Sequence, residues 1–126
     1  MIDIKEIKKN QPKAYELLRK FIENGLKEMQ NRMTQNIGSV KIEEIPPVDD
    51  RIVEGVLYWN IRSLYDFLDQ NNQEIGIGFS TLEGEKRYEY SIGDDGVSIG
   101  EFKTRPEAEQ AAFEEAFKFL ENKLNK

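Results

Sequence analysis

The 126-residue chain carries 18 Lys/Arg and 24 Asp/Glu, a net charge of −6, and has neither histidine nor cysteine. Its length suits one domain with a modest core. The missing residue types exclude disulfides, thiolate or imidazole metal ligands, and every nucleophile activated by histidine. No apolar run reaches the roughly 20 residues that cross a bilayer. No signal-peptide pattern is present either, so a cytoplasmic protein without membrane contact is expected.

An amphipathic helix is the first element that the sequence predicts. Asn10-Gln11-Pro12 is typical of a helix start, with the proline inside the first turn. Apolar residues then recur at steps of three and four residues, which aligns them along one helix face. This stripe comprises Ala14, Leu17, Leu18, Phe21, Ile22, Leu26, Met29 and Met33.

Residues 34–48 carry weaker signals. Val40 and Ile42 are compatible with a short strand, whereas Pro46-Pro47 cannot continue a regular element. Residues 1–48 are therefore interpreted as an N-terminal helical segment with a linker. Residues 49–126 are interpreted as an α+β domain, and the two parts are expected to form one compact unit.

Two helices and three strands are predicted in the first part of this domain. A short helix is predicted after Asp49-Asp50, and Asn60 is expected to cap a second helix. Three strand-like runs follow, separated by turns at residues 82–85 and 93–96. The runs cover residues 74–80, 86–92 and 97–102.

The last helix carries the clearest signals. Thr104 and Glu107 form a capping box, in which the threonine oxygen accepts the backbone N–H three residues on. The apolar face of this helix is wide enough to lie on a sheet. It comprises Ala108, Ala112, Phe113, Ala116, Phe117, Phe119, Leu120 and Leu124. The predicted fold is therefore α-β-β-β-α with a three-stranded antiparallel sheet, preceded by the N-terminal amphipathic helix.

Carboxylates are the only common metal-binding or acid–base groups left in a chain without histidine and cysteine. The acidic pairs have local explanations, since Asp49-Asp50 suit a helix cap, Asp94-Asp95 suit a turn, and Asp66 and Asp69 suit a solvated helix face. Gly76-Ile77-Gly78 lacks the third glycine of a dinucleotide motif. No catalytic residue, cofactor or metal site is predicted, and a carboxylate–metal enzyme is the least favoured alternative.

Charge and aromatic residues indicate a surface for a protein partner. Residues 49–126 hold 17 acidic and nine basic residues. This excess disfavours direct binding of nucleic acid and has two explanations: plain solubility, which is the usual reason for a charged face, or a partner with a basic, nucleic-acid-binding surface. Glu107, Glu114 and Glu121 are expected on one exposed side of the last helix. Three further candidates are of types that anchor interfaces, although a core or core-edge position is favoured for the aromatic ones. These are Trp59, Arg62 and Tyr65.

Residues 60–124 resemble the double-stranded RNA-binding domain in their order of elements. Residues 102–112 resemble the last strand and the Ala-rich final helix of that family, which implies an RNA-binding module. That family carries a lysine cluster at the start of this helix, whereas here Lys103 and Arg105 precede Glu107. The resemblance therefore supports the topology, and RNA binding is an alternative function.

Residues 59–124 also resemble small uncharacterised accessory proteins of Bacteroidetes-type phages and prophages. The similarity lies in residues 60–69, NIRSLYDFLD, and in residues 102–105, FKTR, with the Ala/Phe-rich helix that follows. This resemblance implies a non-enzymatic interaction protein that acts in the cytoplasm of a bacterial host. By analogy with anti-CRISPR proteins, it implies a stoichiometric inhibitor of a nucleic-acid-handling defence complex.

Overall fold

A computed structural model describes residues 3–37, 47–93, 96–97 and 102–126. Within these ranges the chain forms five helices and a small antiparallel sheet. The helices are α1 (Ile4–Asn10), α2 (Pro12–Ile37), α3 (Asp50–Trp59), α4 (Ile61–Gln70) and α5 (Arg105–Leu124), and the strands are β1 (Ile75–Leu82), β2 (Glu85–Ile92) and β3 (Gly96–Val97). None of the described helices is both long and apolar enough to span a membrane.

The N-terminal part holds two helices instead of the single one predicted. The additional helix, α1, is capped by Asp3, whose carboxylate accepts the backbone N–H of Lys5 at 3.0 Å. Pro12 separates the two helices, because proline has no N–H to donate and suits a first helical position. The second helix, α2, begins where the sequence predicts and runs for 26 residues. The predicted short strand at Val40 and Ile42 lies outside the described residues.

Strands β1 and β2 form a hairpin closed by a two-residue turn. Glu83 and Gly84 have φ values of 52° and 81°, the pair of left-handed conformations that a type I′ turn requires. Pairing is continuous from Ile75 opposite Ile92 to the turn. The predicted turn at residues 82–85 is confirmed. Strand β1 ends at Leu82, two residues later than predicted, and β2 begins at Glu85, one residue earlier than predicted.

The predicted three-stranded sheet is wrong. Among the described residues only β1 and β2 are full strands, and β3 adds no more than a two-residue pairing to β2. Residues 98–101 of the predicted third strand, and Asp94-Asp95 of the predicted turn, lie outside the described ranges. Phe102 forms an isolated bridge to Tyr88. Gly96 contributes no side chain to this short pairing, which weakens it.

One hydrophobic core joins the N-terminal helices to the α+β part. Helix α5 packs against both long strands and against α2, and its predicted apolar face is buried at Phe113, Phe117 and the alanines Ala108, Ala112 and Ala116. Phe67 of α4 connects the layers, with its ring centroid 6.0 Å from that of Phe117 and 5.6 Å from that of Phe21. The predicted cap of α5 is also present, since Thr104 Oγ1 accepts the N–H of Glu107 at 3.3 Å.

Candidate functional site

A groove of about 530 Å³ lies between the middle of α2 and the end of α3. Its floor is apolar, because Phe21 and Leu26 of α2 face Val56 of α3. Gly25 and Gly55 open the groove, since neither position has a side chain and no atom of the described residues lies within 4 Å of where a Cβ would stand. Met29 and Trp59 form its outer walls. The groove is thus a concave apolar surface with large, adaptable side chains at its rim.

Trp59 is the most unusual residue of this groove. It is the only tryptophan in the chain and is 86% exposed. Helix α3 ends at this residue and α4 begins at Ile61, so the sharp junction holds the indole outside the packed core. Tyr58, 66% exposed, lies edge-on to it with ring centroids 5.4 Å apart. The expectation of a core-edge position is therefore wrong for Trp59, whose exposure favours the interface interpretation.

Asn60, at the junction of α3 and α4, does not act as the sequence predicts. It occupies the N-cap position of α4, but its side chain makes no capping hydrogen bond. Its backbone N–H instead donates to Val56 O at 2.9 Å and so ends α3. The residue therefore serves the turn between the helices, and that turn sets the direction in which Trp59 projects.

The predicted apolar stripe of α2 explains the other wall of the groove. Its first part is buried, at Ala14, Leu18 and Ile22. The same periodicity continues past the end of the core, where Met29 is 57% exposed and Met33 is also exposed. Methionine is flexible and polarisable, which suits surfaces that adapt to a partner. The sequence therefore identified these residues as one face, and beyond Leu26 the described part of that face is exposed at Met29 and Met33.

Arg62 and Tyr65 lie in a second, polar cleft of about 390 Å³ between α4 and the start of α5. The Tyr65 hydroxyl donates to Glu109 Oε2 at 2.7 Å. Burial, followed by this hydrogen bond, raises the pKa of Tyr65 above its ordinary value. Tyr65 thus has the core-edge position that the sequence favoured, and the bond explains why an acidic residue stands on the apolar face of α5. Arg62 is exposed and lies 3.7 Å from Asp66.

The three predicted acidic residues of α5 do not share one surface role. Glu107 and Glu114 are exposed. Glu121 is buried, and its carboxylate accepts the backbone N–H groups of Lys13 at 3.2 Å and Ala14 at 2.8 Å. The expectation that Glu121 lies on an exposed side is wrong, because the N-terminus of α2 packs on α5 and its free N–H groups need an acceptor.

A polar cluster that sequence analysis did not find ties α1, α2 and α3 together. The buried hydroxyl of Tyr15 donates to Asp50 Oδ1, and Lys8 Nζ lies 3.0 Å from the other carboxylate oxygen. The hydrogen bond from Tyr15, followed by that from Lys8, lowers the pKa of Asp50. Burial, followed by the Asp50 carboxylate, raises the pKa of Tyr15. Since these residues satisfy one another, we assign the cluster a role in holding the helices together.

Neither a metal-binding group nor a relative identifies the site. In the part of the chain that the structure describes, no three Asp or Glu side chains are placed to hold a metal ion together. No protein-family model matches the chain, and no curated protein or solved structure is significantly similar to it. A role for the groove beside Trp59 therefore rests on the residues that line it.

Proposed function

We propose that this protein acts by binding another protein, which inserts apolar side chains into the groove between α2 and α3. The observation that carries the proposal is the 86% exposure of Trp59 at the wall of that groove. Covering an indole removes about 200 Å² from water. At about 25 cal/mol per Å² this is about 5 kcal/mol toward an association that must also offset lost rotational and translational freedom.

The shape and composition of the groove favour an amphipathic helix as the inserted segment. Both walls are helices, and the groove follows α2 from Phe21 to Met29, a stretch of about 12 Å that matches about two turns of a bound helix. Grooves of this kind bind the apolar face of a helix through side chains spaced three and four residues apart. The exposed methionines of α2 extend the apolar surface along the same direction.

The negative net charge of the protein favours a partner with a basic surface. The net charge is −6, and Glu107 and Glu114 remain exposed on α5 after Glu121 is assigned to the fold. A partner surface rich in lysine and arginine would be attracted at long range and would associate faster. Together with the resemblance to phage accessory proteins, this extends the proposal to a stoichiometric, non-enzymatic inhibitor of a host nucleic-acid-handling complex.

The test combines capture with a site-specific signal. The wild-type protein and Trp59→Ser are immobilised and exposed to lysate of a Bacteroidetes-type host, and retained proteins are compared by mass spectrometry. A candidate retained only by the wild type is purified and titrated while the fluorescence of Trp59 is recorded. We expect a blue shift of the emission and a loss of affinity of at least about 30-fold in Trp59→Ser, equivalent to about 2 kcal/mol.

A matched variant separates the groove from other exposed aromatic residues. Phe79→Ser removes an exposed ring from the hairpin, outside the groove residues, and should leave the affinity within about threefold. A partner that binds Trp59→Ser as tightly as the wild type, or that leaves the emission of Trp59 unchanged, would contradict the proposed binding site.

A further inference from the structure

The outer edge of β1 has backbone hydrogen-bonding groups that face away from β2. Strand β1 has β2 as its one neighbour among the described strands. Gly93 N donates to Glu74 O at 2.7 Å, so Glu74 and Gly93 are a hydrogen-bonded pair at the open end of the two paired strands. Because inward and outward pairs alternate along an antiparallel strand, Gly76, Gly78 and Ser80 bond to β2. The N–H and C=O groups of Ile77, Phe79 and Thr81 therefore point outward.

The sequence of β1 contains none of the devices that usually block such an edge. Edge strands are commonly protected by charged residues, by proline or by a bulge. The strand reads IGIGFSTL, with neither a charged residue nor a proline. Its pairing with β2 is continuous over all eight residues, so no bulge twists the edge away. The edge is thus long, regular and uncharged.

Phe79 places an exposed apolar side chain beside this edge. It is 59% exposed and is covered from one side, where the ring of Tyr88 lies 6.3 Å away and the ammonium of Lys86 lies 4.1 Å away. Ile77, its neighbour on the same face, is partly buried. An added strand that carried an apolar residue opposite Phe79 would cover the ring from the remaining side.

We propose that the occupant of this edge is β1 of a second copy of the chain, paired antiparallel about a two-fold axis at Gly78. A two-fold contact requires a self-complementary surface, and an uncharged strand meets its own copy without like-charge repulsion. In this register Ile77 of each copy lies opposite Phe79 of the other, and these residues exchange both of their backbone hydrogen bonds.

The small residues on the opposite face support the same register. Gly78 meets its own copy at the axis, and Gly76 lies opposite Ser80, so no bulky side chains collide there. Each Phe79 then lies between Tyr88 of its own chain and Ile77 of the other. The strands form one continuous sheet in which both α5 helices lie on the same face. This dimer uses the hairpin, and so it leaves the groove at Trp59 open.

The first test measures amide hydrogen exchange by NMR at protein concentrations of about 5 µM and about 500 µM, a range that brackets a weak interface. The amides of Ile77 and Phe79 should exchange at least about tenfold more slowly at the higher concentration. Those of Gly78 and Ser80, which bond to β2, serve as an internal control and should be protected at both. Fast exchange of the outward amides at both concentrations would overturn the proposal, as would protection that does not depend on concentration.

A second test uses matched lysine variants in sedimentation equilibrium. Phe79→Lys places a charge at the centre of the contact and should give a monomer. Ser80→Lys adds the same charge on the opposite face, where the other copy presents only Gly76, and should still dimerise. Because each copy carries a net charge of −6, added salt should strengthen the wild-type dimer by screening. A wild-type monomer throughout, or equal dimerisation of Phe79→Lys, would refute the assignment.

Discussion

Glu121 shows how a single residue can change its role between sequence and structure. Its sequence position, seven residues after Glu114, suggests a solvated row of acids, yet its carboxylate is buried against the start of α2. The contact joins residues more than 100 positions apart in the chain. Helical periodicity describes which residues share a face, and it contains no information on which second helix will end against that face.

Replacing Glu121 should therefore reduce stability. Glu121→Ala leaves the buried N–H of Ala14 and the partly buried N–H of Lys13 without their acceptor, and we expect a loss of about 2 kcal/mol in the free energy of unfolding. Glu114→Ala, on the exposed side of the same helix, should change it by less than about 0.5 kcal/mol. Urea denaturation of both variants measures the difference, and equal values would show that Glu121 is not a cap.

At the scale of elements, the α2–α3 contact depends on pH through Tyr15 and Asp50. The lowered pKa of Asp50 means that its contribution to stability is present above its ordinary value of 3.8 and is lost as the pH falls through the lowered pKa. The raised pKa of Tyr15 has the opposite effect. The contribution of Tyr15 to stability is present below its ordinary pKa of 10.0 and is lost as the pH rises through the raised pKa.

Tyr15→Phe should consequently lower stability at neutral pH by about 1 kcal/mol and reduce the loss of stability above about pH 10. Tyr58→Phe, at an exposed position on α3, should leave the alkaline part of the curve unchanged. Thermal unfolding measured from about pH 3 to about pH 11 gives the dependence of stability on pH. Identical alkaline slopes for the wild type and Tyr15→Phe would contradict the assigned contact.

The turn that follows β2 requires glycine at position 93. Its φ of +47° is in the left-handed region, and an added Cβ would lie 2.9 Å from Asn72 O. Gly93→Ala should therefore destabilise the protein by about 2–3 kcal/mol, because conformational strain and a backbone clash add. Gly84→Ala has a positive φ but open space around it, so about 1 kcal/mol is expected. Chemical denaturation that ranked the two variants in the reverse order would exclude the close approach as the cause.

At the scale of the whole molecule, local signals predicted local structure well and the assembled surface poorly. The α2 stripe, the α5 face and the turn at Glu83-Gly84 are set by spacing and by turn chemistry, which a sequence displays directly. Helix α1 is only seven residues long, too short for a periodic signal. The exposure of Trp59 depends on where the core ends relative to α3. That boundary is a property of packing between elements distant in the chain, and aromatic composition alone favoured the core.

The charge of the assembled molecule yields a last prediction, which concerns the alternative function in RNA binding. A duplex-binding surface gains free energy by releasing counterions through lysine and arginine. At the start of α5, Lys103 and Arg105 are followed by the exposed Glu107, and residues 49–126 carry a net charge of −8. We expect no binding of a labelled RNA duplex of about 20 base pairs at about 150 mM salt, as measured by fluorescence anisotropy.

The variant Glu107→Lys with Glu114→Lys provides the matched comparison, because both side chains are exposed and each reversal changes the charge by two without touching the core. This variant should bind the duplex weakly at low salt, and its affinity should fall steeply as salt is added, since only phosphate contacts would hold it. Micromolar binding by the wild type would instead require a basic surface that the acidic α5 does not supply, and would favour the RNA-binding alternative over the protein-binding groove.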